Sequence, residues 1–172
     1  MRKTIRGVLS RGNVLVSRRA GEGLRQRGYG VRRGAQLVLR DYEAYYLASK
    51  GIVDVFDKDG NMISTPQLFE RLHRFDEDLF AKFLIYYDLR ERGYVVSEGI
   101  KNAISFTIHE KGEGEHLVFG ICEGNPAPLT GISRAFSLAQ KQKKKSVLAI
   151  VNRQGEVVYY SINGLLPKPT NP

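Results

Sequence analysis

Two small α/β (α+β) domains in tandem are the fold that the sequence predicts, and three observations predict it. Apolar residues recur at helical spacing over 36–50 and again over 76–92, and beyond Gly93 they alternate in the two-residue period of strands. The chain has 172 residues and is 42% hydrophobic, which suits one or two modest cores rather than a large enzyme. The reading is a small mixed α/β domain over 1–76, followed by an α/β domain over 77–172.

The elements are expected in this order. Gly7 to Leu9 and Val14 to Val16 read as short strands joined by a Gly12-Asn13 turn. From Gln36 to Lys50, Leu37, Leu39, Tyr42, Tyr46 and Leu47 predict a helix, with Gly51 as its C-terminal cap. Ile52 to Phe56 and an Asp59-Gly60 turn suggest a small strand, and Ser64-Thr65-Pro66 opens a helix with Pro66 in its first turn. A longer helix spans Asp76 to Arg92, where Leu79, Phe80, Phe83, Leu84 and Tyr87 form one apolar stripe and Gly93 ends it. Strands follow at Tyr94 to Val96, Ile104 to Glu110 and His116 to Glu123. Leu129 to Lys143 reads as a helix, Ser146 to Val151 and Val157 to Ile162 as a hairpin around Asn152 to Gly155, and the PKPTNP tail as loose. No internal repeat is evident.

A formal net charge of +9 favours a polyanionic partner such as nucleic acid or an acidic membrane, although a basic structural protein has the same balance. Much of it sits in the first forty residues. The single Cys122 forms no internal disulfide and no zinc site, so a reducing, cytoplasmic compartment is expected. No run approaches the apolar length of a membrane span, and the basic start has no hydrophobic signal segment, so no membrane association is expected. No metal or other cofactor is expected either, because three histidines, with His73 on a distant helix surface, make no ligand-spacing motif.

His109 and His116 are the most informative polar pair. His109 shares a strand face with Ser105 and Thr107, while His116 lies opposite the apolar set Leu117, Phe119 and Ile121. With a hairpin loop at Glu110 to Glu115, both histidines avoid the buried face and meet in a shallow site; the alternative is two solvated strand-end histidines. Lys141, Lys143, Lys144 and Lys145 cluster at a strand entrance, where they either neutralise phosphates or simply complement a helix end. Metal-free RNA cleavage needs a base for the 2′-hydroxyl, an acid for the departing 5′-oxygen and a cation for the phosphorane. Two histidines and a lysine have the chemistry for all three.

The segments KFLIYYDLRERGYVVSEGIK (Lys82 to Lys101), ISFTIHEKG (Ile104 to Gly112), EHLVFGI (Glu115 to Ile121), LTGISRA (Leu129 to Ala135) and KKKSVLAIVNRQGEVVYY (Lys143 to Tyr160) follow one another in the C-terminal half. In these segments and their order the chain resembles the archaeal tRNA-splicing (tRNA-intron) endonuclease family. The N-terminal half adds GYG (Gly28 to Gly30) and the helix LVLRDYEAYYLASKG. The resemblance implies a nuclease-like α/β C-terminal domain with a mixed sheet, assembly into dimers or tetramers, and precursor tRNA as substrate. It also implies cleavage at a bulge-helix-bulge to a 2′,3′-cyclic phosphate and a 5′-hydroxyl without a metal. Of the family's catalytic tyrosine, histidine and lysine, the histidine position matches His116, and the lysine position matches Lys144, or Lys141 when aligned from LTGISRA; the tyrosine position holds His109. That departure, with Ala103-Ile104-Ser105-Phe106 before it, implies a structural subunit that pairs with a catalytic paralogue in a heterotetramer, a dimer of heterodimers. The alternatives are an active metal-independent nuclease using His109, His116 and Lys144, or a generic basic RNA-binding module. Against the structural subunit, the loop from Asn152 to Glu156 holds only one acid, where an acidic docking loop is implied. Candidate RNA contacts are Arg134, Lys141, Lys143 and Lys145, with a solvated helix arginine as the other reading of Arg134; Val157, Val158, Tyr159 and Tyr160 are candidates for an interface or for a strand buried in its own domain.

Overall fold

The computed structural model describes residues 4–100, 103–110, 114–124, 133, 137, 139–141 and 144–162. Their contacts divide the chain into two units, Met1–Val95 and Val96–Pro172, each built on a five-stranded mixed sheet. The expected boundary near residue 76 lies between two helices, whereas the division by contacts falls after the second of them, which packs against the first unit.

The first unit begins with β1 (Ile5–Ser10) and β2 (Asn13–Ser17), antiparallel, with Ser10 opposite Asn13. The turn is therefore Arg11-Gly12 and not Gly12-Asn13, and both residues have positive φ, 47° and 76°. Such two-residue turns need that conformation at both positions, which costs an arginine about 1–2 kcal/mol. After β2 comes α1 (Arg18–Gln26), which the sequence reading does not contain. Its two glycines argue against a helix, but a Cβ on Gly21 would lie 2.9 Å from Leu37 Cδ2, so close packing overrides propensity there.

The helix expected from Gln36 starts later. After β3 (Val31–Arg33), β4 (Gln36–Leu39) pairs with β2, burying Leu37 and Leu39 in a two-residue period, and α2 (Asp41–Ser49) follows. Buried Glu43 fixes that start: its carboxylate accepts from Arg40 N at 2.9 Å and from Gly30 N at 3.0 Å. Burial pushes the Glu43 carboxyl above its usual range, against those two backbone donors. β5 (Val53–Phe56) then pairs parallel with β1, Ile5 opposite Val53, to give the order β3-β4-β2-β1-β5.

α3 (Thr65–His73) starts at Ser64 with Pro66 in its first turn, as expected. α4 (Leu79–Glu91) ends before Gly93, whose φ is 90°. The expected stripe on α4 is not its buried face. Leu79, Ala81, Ile85, Tyr86 and Leu89 are buried, while Phe80 and Tyr87 are exposed. Tyr86 packs its ring 4.9 Å from Tyr42 and 5.6 Å from Tyr46 on α2, and that aromatic layer selects the face.

Asp41 at the start of α2 shares a half-buried polar corner with Asp76 and Lys82. Burial, reinforced by Asp76, pushes the Asp41 carboxyl up to about 6. Burial also acts on Asp76, but the Lys82 ammonium overcomes it and holds that carboxyl below its usual value. Native Asp41 thus keeps a proton that the unfolded chain releases near 3.8, so its contribution to stability falls as pH rises from 3.8 through about 6. Asp41→Asn is expected to remove that fall and to raise stability at neutral pH by about 1–3 kcal/mol. Urea unfolding on both sides of the window checks this; equal pH profiles for the two proteins would overturn it.

The second unit has the order β10-β9-β8-β7-β6, from β6 (Val95–Glu98), β7 (Ser105–Glu110), β8 (Gly114–Cys122), β9 (Lys145–Val151) and β10 (Val157–Ile162). Only the β8–β9 pair is established as parallel among β7 to β10. Ser133, Ser137 and 139–141 are helical, and the rest of the helix expected over Leu129 to Lys143 lies outside the described residues. Ala139 packs on Leu117 and Phe119, with Ile100 and Leu148 beside them. No described helix is long and apolar enough to cross a membrane.

Candidate functional site

The hairpin register decides which side chains meet. β7 runs to Glu110 and β8 starts at Gly114, so the loop is shorter than the Glu110-to-Glu115 loop expected from sequence. In this register His109 faces Glu115 and Ile108 faces His116. Neighbours along a strand point to opposite faces, so the two histidines diverge rather than meet. His116 shares its face with buried Phe106, Ile108 and Val118, and its Nε2 is buried. His109 stands exposed at the strand end beyond buried Thr107.

Glu115 is the residue that sequence reasoning missed. His109 Nδ1 lies 3.2 Å from Glu115 Oε1, and Lys144 Nζ lies 2.8 Å from Glu115 Oε2. The hydrogen bond from Lys144, and more weakly the charge of His109, hold the Glu115 carboxyl below its usual range. The missing signal was loop length, since a three-residue connection sets Glu115 opposite His109.

Lys144 is positioned by its backbone, whose N–H donates to Ala139 O at 3.0 Å as the chain leaves the helix for β9. Lys141 lies on the helix and is exposed, Lys145 opens β9 opposite His116, and Arg134 and Lys143 lie outside the described residues. Among the described residues, no group of three or more His, Cys, Asp or Glu side chains is arranged to hold a metal ion.

β10 forms one edge of the sheet. Val157 and Tyr159 are half-buried, while Val158 and Tyr160 are 46% and 53% exposed. The preceding turn is organised by Asn152, whose Oδ1 accepts from Gln154 N and Glu156 N and whose Nδ2 donates to Glu156 Oε2 at 2.8 Å. The one acid of this loop is thus engaged within it.

Comparison with known proteins matches residues 5–69 to the N-terminal domain of the tRNA intron endonuclease and residues 79–159 to its catalytic C-terminal domain. A tRNA-splicing endonuclease of Methanococcus vannielii is 32% identical over 170 residues, covering 95% of this chain and 96% of that one. One from Pyrococcus abyssi is 34% identical over 139 residues, 79% and 81% of the two chains. One from Methanococcoides burtonii is 28% identical over 165 residues, which span 92% of this chain but 46% of that longer protein.

Proposed function

We propose a function from the premise that this chain belongs to the tRNA intron endonuclease family: it is the non-catalytic subunit of a tRNA-splicing endonuclease. It pairs with a catalytic paralogue, as a dimer of heterodimers, and holds precursor tRNA while the partner cuts at the bulge-helix-bulge. The observation that carries this reading is the divergence of the candidate triad. His109 and His116 point to opposite faces of one hairpin, and Glu115 occupies the Lys144 ammonium that a phosphorane would need. A base, an acid and a free cation do not converge on one phosphate in this arrangement. A relative of about twice this length also fits a design in which two such modules work together.

A second reading, an active metal-independent nuclease, has one observation in its favour. Glu115 holds His109 Nδ1 as an orienting carboxylate holds a catalytic imidazole, which leaves the other ring nitrogen for proton transfer.

The test is cleavage of a bulge-helix-bulge RNA in EDTA by the chain alone and with its catalytic paralogue. No cleavage alone is expected, cleavage with the partner is expected, and His109→Ala or Glu115→Gln should change the assembled rate by less than about two-fold. Cleavage by the chain alone, slowed about ten-fold or more by either substitution, would replace the first reading with the second.

A further inference from the structure

A cleft in the first unit takes up charge and aromatic surface that the fold leaves unused. It encloses about 700 Å³ between the tip of the β1–β2 hairpin, the turn after β5 and the end of α3. Arg11, Lys58, Arg71 and Arg74 line it, against the carboxylates of Asp57 and Asp59. Asp57 is committed to its own turn: its carboxylate accepts from Asn61 N at 2.8 Å, Asp59 N at 3.0 Å and Asn61 Nδ2 at 3.2 Å. None of the four cationic head groups has a hydrogen bond or close ion pair with a side chain among the described residues.

Two local details aim the cleft outward. Arg11 sits at the turn position where asparagine or glycine is the unstrained choice, and its φ of 47° carries a guanidinium to the rim. Phe75 is 65% exposed, yet it is not loose. Its side chain lies so close to Gly12 that a Cβ there would come within 2.9 Å of Phe75 Cβ, and its N–H donates to Leu72 O at the end of α3. An exposed aromatic ring held at the rim of a cleft lined by cations that lack a hydrogen-bonded side-chain partner is a combination that binds unstacked bases and their phosphates. Duplex RNA keeps its bases stacked and offers no free ring face to Phe75.

We infer that this cleft binds an unpaired stretch of RNA, with Phe75 stacking on a base and Arg11, Lys58, Arg71 and Arg74 contacting the flanking phosphates. The inference rests on the reading that the chain handles RNA, and it gives the N-terminal unit a contact remote in sequence from the His109–Glu115–Lys144 cluster.

The chain contains no tryptophan, so Phe75→Trp supplies a single tryptophan reporter in the full-length protein, read by excitation at the red edge where the tyrosines do not absorb. Hexauridylate is expected to quench it saturably. A short blunt RNA duplex, tripolyphosphate and hexaglutamate should each bind at least about ten-fold more weakly. In that background Arg11→Gly and Arg74→Gln should each weaken hexauridylate binding by about three- to ten-fold and reduce the salt slope by roughly one phosphate contact. Arg11→Gly relaxes the turn, so its melting temperature should not fall and lost binding cannot be assigned to unfolding. No quenching by hexauridylate, equal quenching by tripolyphosphate or hexaglutamate, or indifference to both arginine substitutions would overturn the inference. The readout needs neither partner nor cleavage. A silent cleft with partner-dependent cleavage intact removes this site alone, whereas quenching without partner-dependent cleavage removes the subunit reading and leaves the cleft.

Discussion

Tyr86→Ala is expected to destabilise the first unit by about 3–5 kcal/mol, a large part of the roughly 5–15 kcal/mol that holds a typical domain together. Tyr86 is fully buried and its ring is shared by two residues of α2, Tyr42 at 4.9 Å and Tyr46 at 5.6 Å. Removing it deletes apolar burial and opens a cavity in the aromatic layer between α4 and α2, to which Tyr45–Phe83 and Tyr46–Tyr87 also contribute. Tyr86→Phe keeps the ring and should retain most of the stability. Urea denaturation followed by far-ultraviolet circular dichroism measures both; a Tyr86→Ala midpoint near that of the unaltered protein would mean that α4 is held by other contacts.

The second large effect concerns assembly. With Val158→Asp and Tyr160→Asp together, the chain should stay folded, because both side chains are about half exposed; on the proposed subunit reading, affinity for a catalytic paralogue should drop by more than about a hundred-fold. An edge strand with exposed apolar groups is a ready surface for another chain, and two carboxylates there oppose its desolvation. Co-elution on size exclusion and partner-dependent cleavage provide the readouts. Unchanged co-elution would remove β10 from the interface.

The fold class was legible because the strongest patterns were long. The alternation read over Ile104 to Glu110 and His116 to Glu123 appears, with shifted ends, as β7 and β8, and Pro66 and Gly93 mark the helix ends they suggested. What was not legible depended on tertiary partners. α1 carries Gly21 and Gly23, which weaken any local helix signal, and the approach of Leu37 and Val16 explains the first of them. Leu39 fits helical spacing with Tyr42 and Tyr46 as well as strand alternation with Leu37, and pairing with β2 makes the choice. On α4 apolar residues lie on more than one face, so the stripe read from Leu79 to Tyr87 competes with a second, and Tyr42 and Tyr46 select the face of Tyr86.

The candidate site shows the same division. Residue types picked out His109, His116 and a lysine cluster, and the family resemblance pointed to Lys144 or Lys141 within it, but their mutual geometry rested on register. A slip of one residue exchanges Glu115 for His116 as the group facing His109, and with it the chemistry at that position. The loop length that sets the register carries no hydrophobic signal, so composition and periodicity had no hold on it.

The parallel pairing of β1 with β5 governs when the first sheet can close during synthesis. β1 leaves the ribosome before β5, so its outer row of amides and carbonyls stays open until Val53 to Phe56 have been synthesised. A nascent chain that pauses within α2 therefore displays an unpaired strand to its surroundings, a state prone to association with other chains. In the later sheet, each strand from β7 onward lies beside the one synthesised just before it, so pairing can keep pace with translation. The two halves are thus expected to differ in when they need protection: the earlier-made half waits for its closing strand, and the later-made half zips up as it appears.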